Sequence, residues 1–306
     1  MINLIKFEFK KMFKSKMVYI SLVLILIISF LLTFINFKTK SNFKEYNYIE
    51  VNKNLNEKTI NEIEKNNEIM MFIEQNKINN NDKIKDTLNK HLTFLMFLGF
   101  VLFFFSSKVM MGEFDNGTIK NILIKPYSRA QIFFSKYIVI LVLSIAFVLI
   151  TYLLSLIFTS LIYKVDLFKI FSYIYESDII KVRYIDLYTK KFLMYSVPIL
   201  FLSLLTFNLS IILNSGFFSY IISIILLTFA PSISFILIDL GLKFIIYTFL
   251  PYLDYTYYFN KYNLLYINDI YSINIGIFKS YVILFFTLLI FTLLGLYIFN
   301  KKDIKK

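Results

Sequence analysis

The chain has 306 residues, of which 58% are hydrophobic and 19% aromatic, and its formal net charge is +13. It contains no Cys and a single His, which excludes thiol nucleophiles and zinc sites built from several His or Cys ligands. The hydrophobic fraction exceeds that of ordinary soluble domains and indicates an integral membrane protein.

The N-terminal segment 1–16 predicts an amphipathic helix that lies on the membrane surface. Apolar residues recur at helical spacing on one face, whereas lysines point elsewhere, as an interfacial helix requires; the apolar set is Ile2, Ile5, Phe9, Met12 and Phe13. A second interpretation, compatible with the first, is a positive flank that only orients the first span.

Six apolar segments are long enough to cross a bilayer, which takes about 20 residues each. An uncharged run of 47 residues, 192–238, must hold two of them, and its break is predicted at Asn214-Ser215-Gly216. The fold class is therefore all-α integral membrane, with spans at 17–37, 92–111, 137–162, 192–213, 217–238 and 280–300. Small polar residues in the third and fourth spans, among them Ser144 and Ser203, are expected to pack helices together.

The distribution of Lys and Arg predicts that both termini are cytoplasmic. With that orientation the inner segments (1–16, 108–136, 214–216 and 301–306) hold 14 basic and 4 acidic residues, and the longer outer segments hold 19 and 16. The inner side is thus denser in cations, as the positive-inside rule requires. Membrane topology accounts for the net charge, so a nucleic-acid partner need not be invoked. The frequent use of Lys, Asn and Ile suggests an AT-rich bacterial genome and therefore a bacterial cell membrane as the location.

Three outer loops are expected. Residues 38–91 predict a partly helical extracellular loop, and 163–191 a short mixed one. Residues 239–279 begin with an apolar stretch too short to cross the bilayer, which predicts a re-entrant or interfacial helix ended by Pro251.

Residues 112–136 form the one substantial cytoplasmic loop in this topology. Gly117 allows a sharp turn, and Thr118, Asp115 or Asn116 can cap a short helix. Ile119, Ile122 and Leu123 would share one face and Lys120, Asn121 and Lys125 another, before Pro126 stops the helix. Ser128 to Gln131 is a capping-box pattern that starts the third span. The pattern favours a rigid amphipathic element between two spans, or else an ordered connector that rests on the bilayer.

Two apparent motifs do not indicate a nucleotide-binding or catalytic site. Gly112 and Gly117 have the spacing of a phosphate-binding loop, but Thr118 stands where the essential Lys would be. His91 has no nucleophile elbow to accompany it and is expected to be a polar flank at the outer end of the second span. We therefore expect no catalytic, cofactor or metal site.

The stretch MMGEFDNGTIKNILIKPYSRAQIFFSKY resembles the signature of ABC-2 type transporter permeases between their second and third spans. The matching positions are Glu113, Gly117, Thr118, Leu123, Pro126, Ser128, Arg129 and Lys136. The order of an amphipathic N-terminal helix, six spans and an apolar last outer loop is also similar, so the resemblance covers nearly the whole chain.

The resemblance implies the membrane half of an exporter. The short helix would be the coupling helix, seated in a groove of a separate cytoplasmic ATPase that binds ATP and Mg²⁺, and two permeases would enclose the substrate path. The buried contact with the ATPase would come from Ile119, Ile122 and Leu123, and the charged rim around it from Lys120, Lys125 and Arg129. Glu113 would attach the short helix to the second span or to the N-terminal helix.

The apolar, aromatic-rich spans favour an amphiphilic or hydrophobic cargo, such as an antimicrobial peptide, a drug or a lipid-linked molecule. Two other functions remain open at this point. One is a permease-like membrane anchor or sensor that does not transport, and the other is an ion-driven secondary transporter, against which the scarcity of ionisable residues in the spans counts.

Overall fold

A computed structural model of the chain describes residues 1–39, 79–124, 126–168, 170–175, 178–259, 268 and 274–302. The prediction of helix within residues 40–78 of the first outer loop falls outside the described residues. So does the end of the C-terminal tail, residues 303–306.

The described part of the chain contains eight α-helices, one two-stranded hairpin and three short 3₁₀ helices. The α-helices are α1 Ile2–Lys14, α2 Lys16–Lys38, α3 Asn79–Asp115, α4 Ile119–Leu123, α5 Arg129–Tyr163, α6 Tyr184–Ile212, α7 Gly216–Asp239 and α8 Ile277–Lys301. The strands are β1 Ile170–Tyr175 and β2 Asp178–Arg183, and the 3₁₀ helices are Lys243–Tyr247, Leu250–Leu253 and Thr256–Phe259.

Six of the described helices, α2, α3 and α5 to α8, are long and apolar enough to cross a membrane. This confirms the predicted fold class, an all-α integral membrane protein. Several helices extend well beyond the apolar segments. α3 has 37 residues and is therefore about 55 Å long at 1.5 Å per residue, so it projects beyond the roughly 30 Å hydrocarbon core.

The turn between α6 and α7 divides the long apolar run where the sequence predicts. Asn214 adopts a left-handed conformation with φ of 51°. The Ser215 side chain then accepts a hydrogen bond from the Phe218 amide at 3.3 Å and caps α7. Gly216 lies so close to α3 that an added Cβ would stand 3.1 Å from the Ser107 carbonyl oxygen. The two helices therefore leave this turn packed tightly against a third.

α6 occupies the centre of the bundle and packs against α3, α5, α7 and α8, while α2 packs along α5 and α3. Small polar side chains meet between these helices: Ser144 donates to Ser203 at 3.1 Å and Thr206 to Ser223 at 2.7 Å. These side chains are buried, and each hydrogen bond removes the cost of a polar group in an apolar interior. The expected role of Ser144 and Ser203 in helix packing is confirmed.

The two ends of the bundle differ. We call the end that carries α1, residues 112–124 and 126–136 and the last turn of α8 the terminal end. The opposite end carries residues 164–168, the two strands and the three 3₁₀ helices. At the opposite end β1 and β2 pair antiparallel from Ile170 with Arg183 to Tyr175 with Asp178. This hairpin lies in the segment predicted as a short mixed loop, and its aromatic and β-branched residues favour strands.

The apolar stretch after α7, predicted as a re-entrant or interfacial helix ended by Pro251, contains two short 3₁₀ helices, Lys243–Tyr247 and Leu250–Leu253. Gly241, with φ of 91°, turns the chain, and Pro251 lies in the first turn of the second 3₁₀ helix instead of ending a helix. The Tyr252 side chain is buried and its hydroxyl donates to the Ile246 carbonyl at 2.8 Å. Burial raises the pKa of Tyr252 to about 12.

His91 is also placed differently from the prediction of a polar flank. α3 begins at Asn79, so His91 lies well inside the helix and is buried. Its Nε2 atom is 3.0 Å from Thr33 Oγ1 on α2. A nearby hydrogen bond joins the same helices, from Asn36 Nδ2 to Thr87 Oγ1 at 2.6 Å. His91 thus contributes to a polar contact between α2 and α3.

Two helical glycines offer a test of the packing. A Cβ on Gly295 of α8 would stand 3.0 Å from Asn208 Oδ1, whereas Gly112 of α3 has no atom within 4 Å. Gly112→Ala should raise Tm, because Ala favours a helix by about 1 kcal/mol over Gly. Gly295→Ala should lower Tm, because overpacking costs about 1 to 3 kcal/mol. Thermal unfolding of the two variants in detergent checks this, and an equal rise in both would contradict the contact of α8 with α6.

Candidate functional site

The chain reverses direction between α3 and α5 through a short, well-defined turn. Gly117 has a φ of 67°, a left-handed conformation that Gly adopts without strain, and its amide donates to the Phe114 carbonyl at 3.1 Å. Thr118 occupies the N-cap position of α4 but makes no capping hydrogen bond. Its hydroxyl instead donates to the Glu113 carbonyl at 3.4 Å, which ties the turn back to the end of α3.

The start of α5 carries the predicted capping box, which is confirmed. The Ser128 side chain accepts from the Gln131 amide at 3.2 Å, and the Gln131 side chain accepts from the Ser128 amide at 3.0 Å. Pro126 and Ser128 are exposed in the connection between α4 and α5. Lys125 and the side chain of Leu123 lie outside the described residues. The loop is therefore fixed at both ends by local hydrogen bonds.

α4 is held against the bundle by its isoleucines. Ile119 and Ile122 are buried in a cluster with Leu4 of α1, Phe133 of α5 and Phe207 of α6. This packing corrects our expectation that the two isoleucines face a partner protein, because the amphipathic pattern shows an apolar face without showing what covers it. The exposed side of α4 and its C-cap includes Lys120, Asn121 and Ile124, and Ile124 is 83% exposed.

Four charged side chains form a cluster beneath the loop: Glu8 and Lys11 of α1, Glu113 of α3 and Lys136 of α5. We call this set the ion cluster. The Lys136 ammonium is 2.8 Å from Glu8 Oε1 and 2.6 Å from Glu113 Oε1, and its side chain is 0% exposed. Lys11 also donates to Glu113 Oε1 but is about half exposed. The cluster joins α1 to two helices that lie far from it in the sequence, α3 and α5.

The charges in this cluster must be paired to be buried. An isolated ion in the interior costs several kcal/mol, and removal of one partner from a buried pair is strongly destabilising. Lys136 satisfies this condition with one carboxylate from α1 and one from α3, while Glu113 receives two ammonium groups. Glu113 Oε2 is buried and has no hydrogen-bond partner within the described part of the chain. The cluster therefore fixes the position of α1 against α3 and α5.

Two members of the ion cluster, Lys11 and Glu8, are not among the predicted site residues, and the buried one is Glu8. It is the only acid in the N-terminal segment 1–16, and it lies one helical turn after Leu4 and one before Met12, so the three share a face. Leu4 and Glu8 are the buried residues of α1. Met12 packs at the edge of the same core, whereas Ile2 and Phe13 of the predicted apolar face stay exposed. In the sequence, this role is indicated by a single acidic residue on the same face as Leu4 and Met12 in an otherwise lysine-rich helix.

Arg129 is engaged within the chain. Its Nη1 atom donates to three backbone carbonyls that end α8, those of Phe299 at 3.2 Å, Asn300 at 2.8 Å and Lys302 at 2.8 Å. A cation at a helix C-terminus compensates the unpaired carbonyls and the helix dipole. The Lys302 ammonium lies 3.8 Å from the centre of the Phe114 ring. Arg129 thus connects the loop to the last helix instead of lying free at a rim.

The ion cluster predicts a large difference between buried and exposed lysines. Lys136→Met should lower the free energy of unfolding by about 3 to 5 kcal/mol, because it leaves two carboxylates buried without their shared partner. Lys301→Met is the matched control, since Lys301 is exposed on the same end, and it should change stability by less than about 0.5 kcal/mol.

Replacement of the whole buried set separates charge pairing from packing. The triple variant Glu8→Met, Glu113→Met, Lys136→Met should recover most of the loss, because apolar replacement of a complete buried ion cluster is often neutral. Thermal unfolding in detergent compares the variants. A Lys136→Met protein as stable as the control would mean that the buried ion pairs do not form.

The described geometry comprises an amphipathic first helix, six spanning helices and a short loop helix attached to the bundle. The family model described as ABC-2 family transporter protein matches residues 2–304. No curated protein matches the chain. Because the family match runs from the start of α1 to beyond the end of α8 and includes the loop with its ion cluster, the chain belongs to the ABC-2 transporter family and is a multi-pass membrane component of that kind.

Proposed function

We propose that this chain is the permease subunit of an ABC exporter that moves an amphiphilic or hydrophobic substrate with ATP hydrolysed by a separate ATPase subunit. ATP and Mg²⁺ would bind in that subunit. Membership of the ABC-2 family supports association with an ATPase. The proposed location is a bacterial cell membrane, with both termini in the cytoplasm. A second permease subunit, identical or related, would complete the substrate path.

The observation that carries the proposal is the attachment of α4 to the spanning helices. Ile119 and Ile122 seat the helix in the core, Glu113 and Lys136 join α3 to α5 beneath it, and Arg129 joins α5 to α8. A force on α4 is therefore passed to spanning helices and is not absorbed by the loop. A motor that works from outside the membrane needs such a connection.

The exposed side of the loop is the proposed surface for the ATPase. Ile124 offers an apolar contact and Lys120 a positive charge beside it. A central apolar anchor with a polar or charged rim is the usual composition of a specific protein interface. An ATPase groove that binds this surface would have an apolar floor and acidic residues around it.

ATP-dependent closure of two ATPases would act as a population shift. If the closed ATPase dimer binds the loops better in one arrangement of the two permeases than in the other, it favours that arrangement by the difference in binding free energy. The ion cluster and the Arg129 contacts keep α1, α3, α5 and α8 together during such a change. The substrate path would then open to the other side by movement of helix groups, with each helix intact.

The cargo class follows from the apolar and aromatic character of the spans. An antimicrobial peptide, a drug or a lipid-linked molecule fits a path with few charges better than a small ion does. A permease-like anchor that binds the ATPase without transport would share the loop and the ion cluster. Transport and ATPase binding therefore require separate measurements.

The proposed orientation can be tested with single cysteines, because the natural chain contains none. Lys120→Cys lies on the exposed side of α4 at the terminal end, and Phe168→Cys lies at the opposite end on a side chain that is 63% exposed. A membrane-impermeant maleimide should label position 168 in intact cells and position 120 only after permeabilisation. Labelling of position 120 in intact cells would reverse the orientation and remove the proposed docking surface.

Docking is tested by coexpression and copurification with an ABC ATPase. Ile124→Asp should reduce ATPase recovery at least tenfold, because loss of a central apolar contact commonly costs about 2 kcal/mol, and export should fall with it. Phe168→Asp is the control, an exposed apolar residue at the opposite end that should leave ATPase recovery unchanged. Undiminished binding and export by Ile124→Asp would refute this surface, and binding without export by the natural protein would favour an anchor.

A further inference from the structure

A cavity of about 550 Å³ lies beside the ion cluster, between α1, the start of α2, α3 and α4. Its size is in the range of small-molecule sites, about 300 to 1,000 Å³. Apolar side chains form one part of it, including Phe104 and Phe105 of α3 and Met17 of α2. Exposed residues at its edge, Met17 and Lys108 among them, show that the cavity opens at the surface.

The polar part of the cavity holds an unused hydrogen-bond acceptor. Glu8 and Glu113 both line it. Glu113 Oε1 receives Lys11 and Lys136, whereas Oε2 is buried without a partner among the described residues. A buried acceptor left unpaired is unfavourable, because it has lost its hydrogen bonds to water without replacing them. A ligand with a hydroxyl or amine donor would therefore gain affinity at Glu113 Oε2.

The charges around the cavity favour an anion. The two carboxylates of the ion cluster are balanced by its two lysines, so that set is neutral overall. Lys108 also lines the cavity and adds one positive charge. Its ammonium lies 4.6 Å from the centre of the Phe104 ring, where the apolar and polar parts of the cavity meet. A negative group bound at Lys108 would neutralise the site.

The position of the cavity points to a lipid. Met17 begins the first apolar span, and Lys108 is the first charged residue after the uncharged part of the second, so both mark the boundary between hydrocarbon and headgroups. The site thus combines an apolar surface toward the bilayer, a cation at headgroup level and a buried acceptor behind it. These are the three features that an anionic amphiphile with a headgroup hydroxyl would use.

We infer that this cavity is a binding site for an anionic glycerophospholipid with a hydroxylated headgroup, of the phosphatidylglycerol type. The phosphate contacts Lys108, a headgroup hydroxyl donates to Glu113 Oε2, and an acyl chain lies along Phe104 and Met17. The site is separate from the exported cargo and does not depend on transport. A lipid bound there would cover the side of the ion cluster that faces the membrane.

The absence of Trp from the chain permits a single-tryptophan test. Phe104→Trp places the reporter in the cavity and keeps an aromatic ring over Lys108. Ile290→Trp is the matched control, since Ile290 is exposed on α8 and lies as far before the end of its helix as Phe104 lies before the end of α3. Each protein is reconstituted in phosphatidylcholine vesicles with increasing fractions of brominated phosphatidylglycerol, brominated phosphatidylethanolamine or brominated phosphatidylcholine, and fluorescence quenching gives relative association constants.

At position 104 brominated phosphatidylglycerol should associate about fivefold more strongly than brominated phosphatidylcholine, the effect of one lysine on an anionic lipid. At position 290 the preference should be smaller than twofold. Lys108→Met should abolish the preference at position 104. Lys301→Met should not, although its ammonium also lies 4.6 Å from a ring centre, that of Tyr297.

Three outcomes would overturn the inference: an equal preference at both tryptophans, a preference that survives Lys108→Met, or stronger association of phosphatidylethanolamine than of phosphatidylglycerol. If Phe104→Trp does not fold, Phe7→Trp reports on the same cavity from α1, because Phe7 lines it from an exposed position. The permease is measured without its ATPase, so failure of the lipid site leaves the proposed docking surface unaffected, and the converse also holds.

Discussion

The terminal end of this protein depends on the burial of one ammonium group. Lys136 has no exposed surface, so its charge is tolerated only where two carboxylates reach it. Glu113 comes from the end of the preceding spanning helix and Glu8 from α1, 128 residues away in the sequence. An amphipathic helix without this pair could lie anywhere on the bilayer surface. With it, α1 has one position, against α3 and α5.

Much of the local structure follows from that position. Leu4, one turn before Glu8, enters the same core as Ile119 and Ile122, so α1 and α4 share one apolar core with the spans. Phe133 and Phe299 belong to this core too, with ring centres 6.3 Å apart, and they bring the end of α8 to the start of α5, where Arg129 binds its carbonyls. Salt pairing, apolar packing and a helix cap thus act on one small region.

The sequence predicts features that depend on local chemistry and misses those that depend on distant partners. Span number follows from apolar length, the turn at Asn214 from turn-forming residues, and the capping box at Ser128 from a short local pattern. The burial of Glu8 depends on Lys136, and the burial of Ile119 depends on α1, α5 and α6. The periodicity of the sequence does not identify these distant partners. The burial of His91 is not predicted for a related reason: the uncharged segment marks where a helix is apolar, whereas α3 begins several polar turns before it.

Stability alone does not explain a buried ion cluster, because apolar side chains of the same size would give a similar free energy of unfolding. Paired charges also restrict geometry. The buried Lys136 ammonium is stable only where both carboxylates remain within hydrogen-bond distance, so the relative positions of α1, α3 and α5 are limited. The members also differ in access. Lys136 and Glu8 are buried, but Lys11 is about half exposed and shares Glu113 with Lys136. Lys11 is therefore the member that can leave Glu113 and be solvated, although its departure leaves two buried carboxylates on one ammonium, that of Lys136. In the proposed mechanism α1 could then shift at its exposed edge as the loop is pushed, and the helices would stay joined through Lys136.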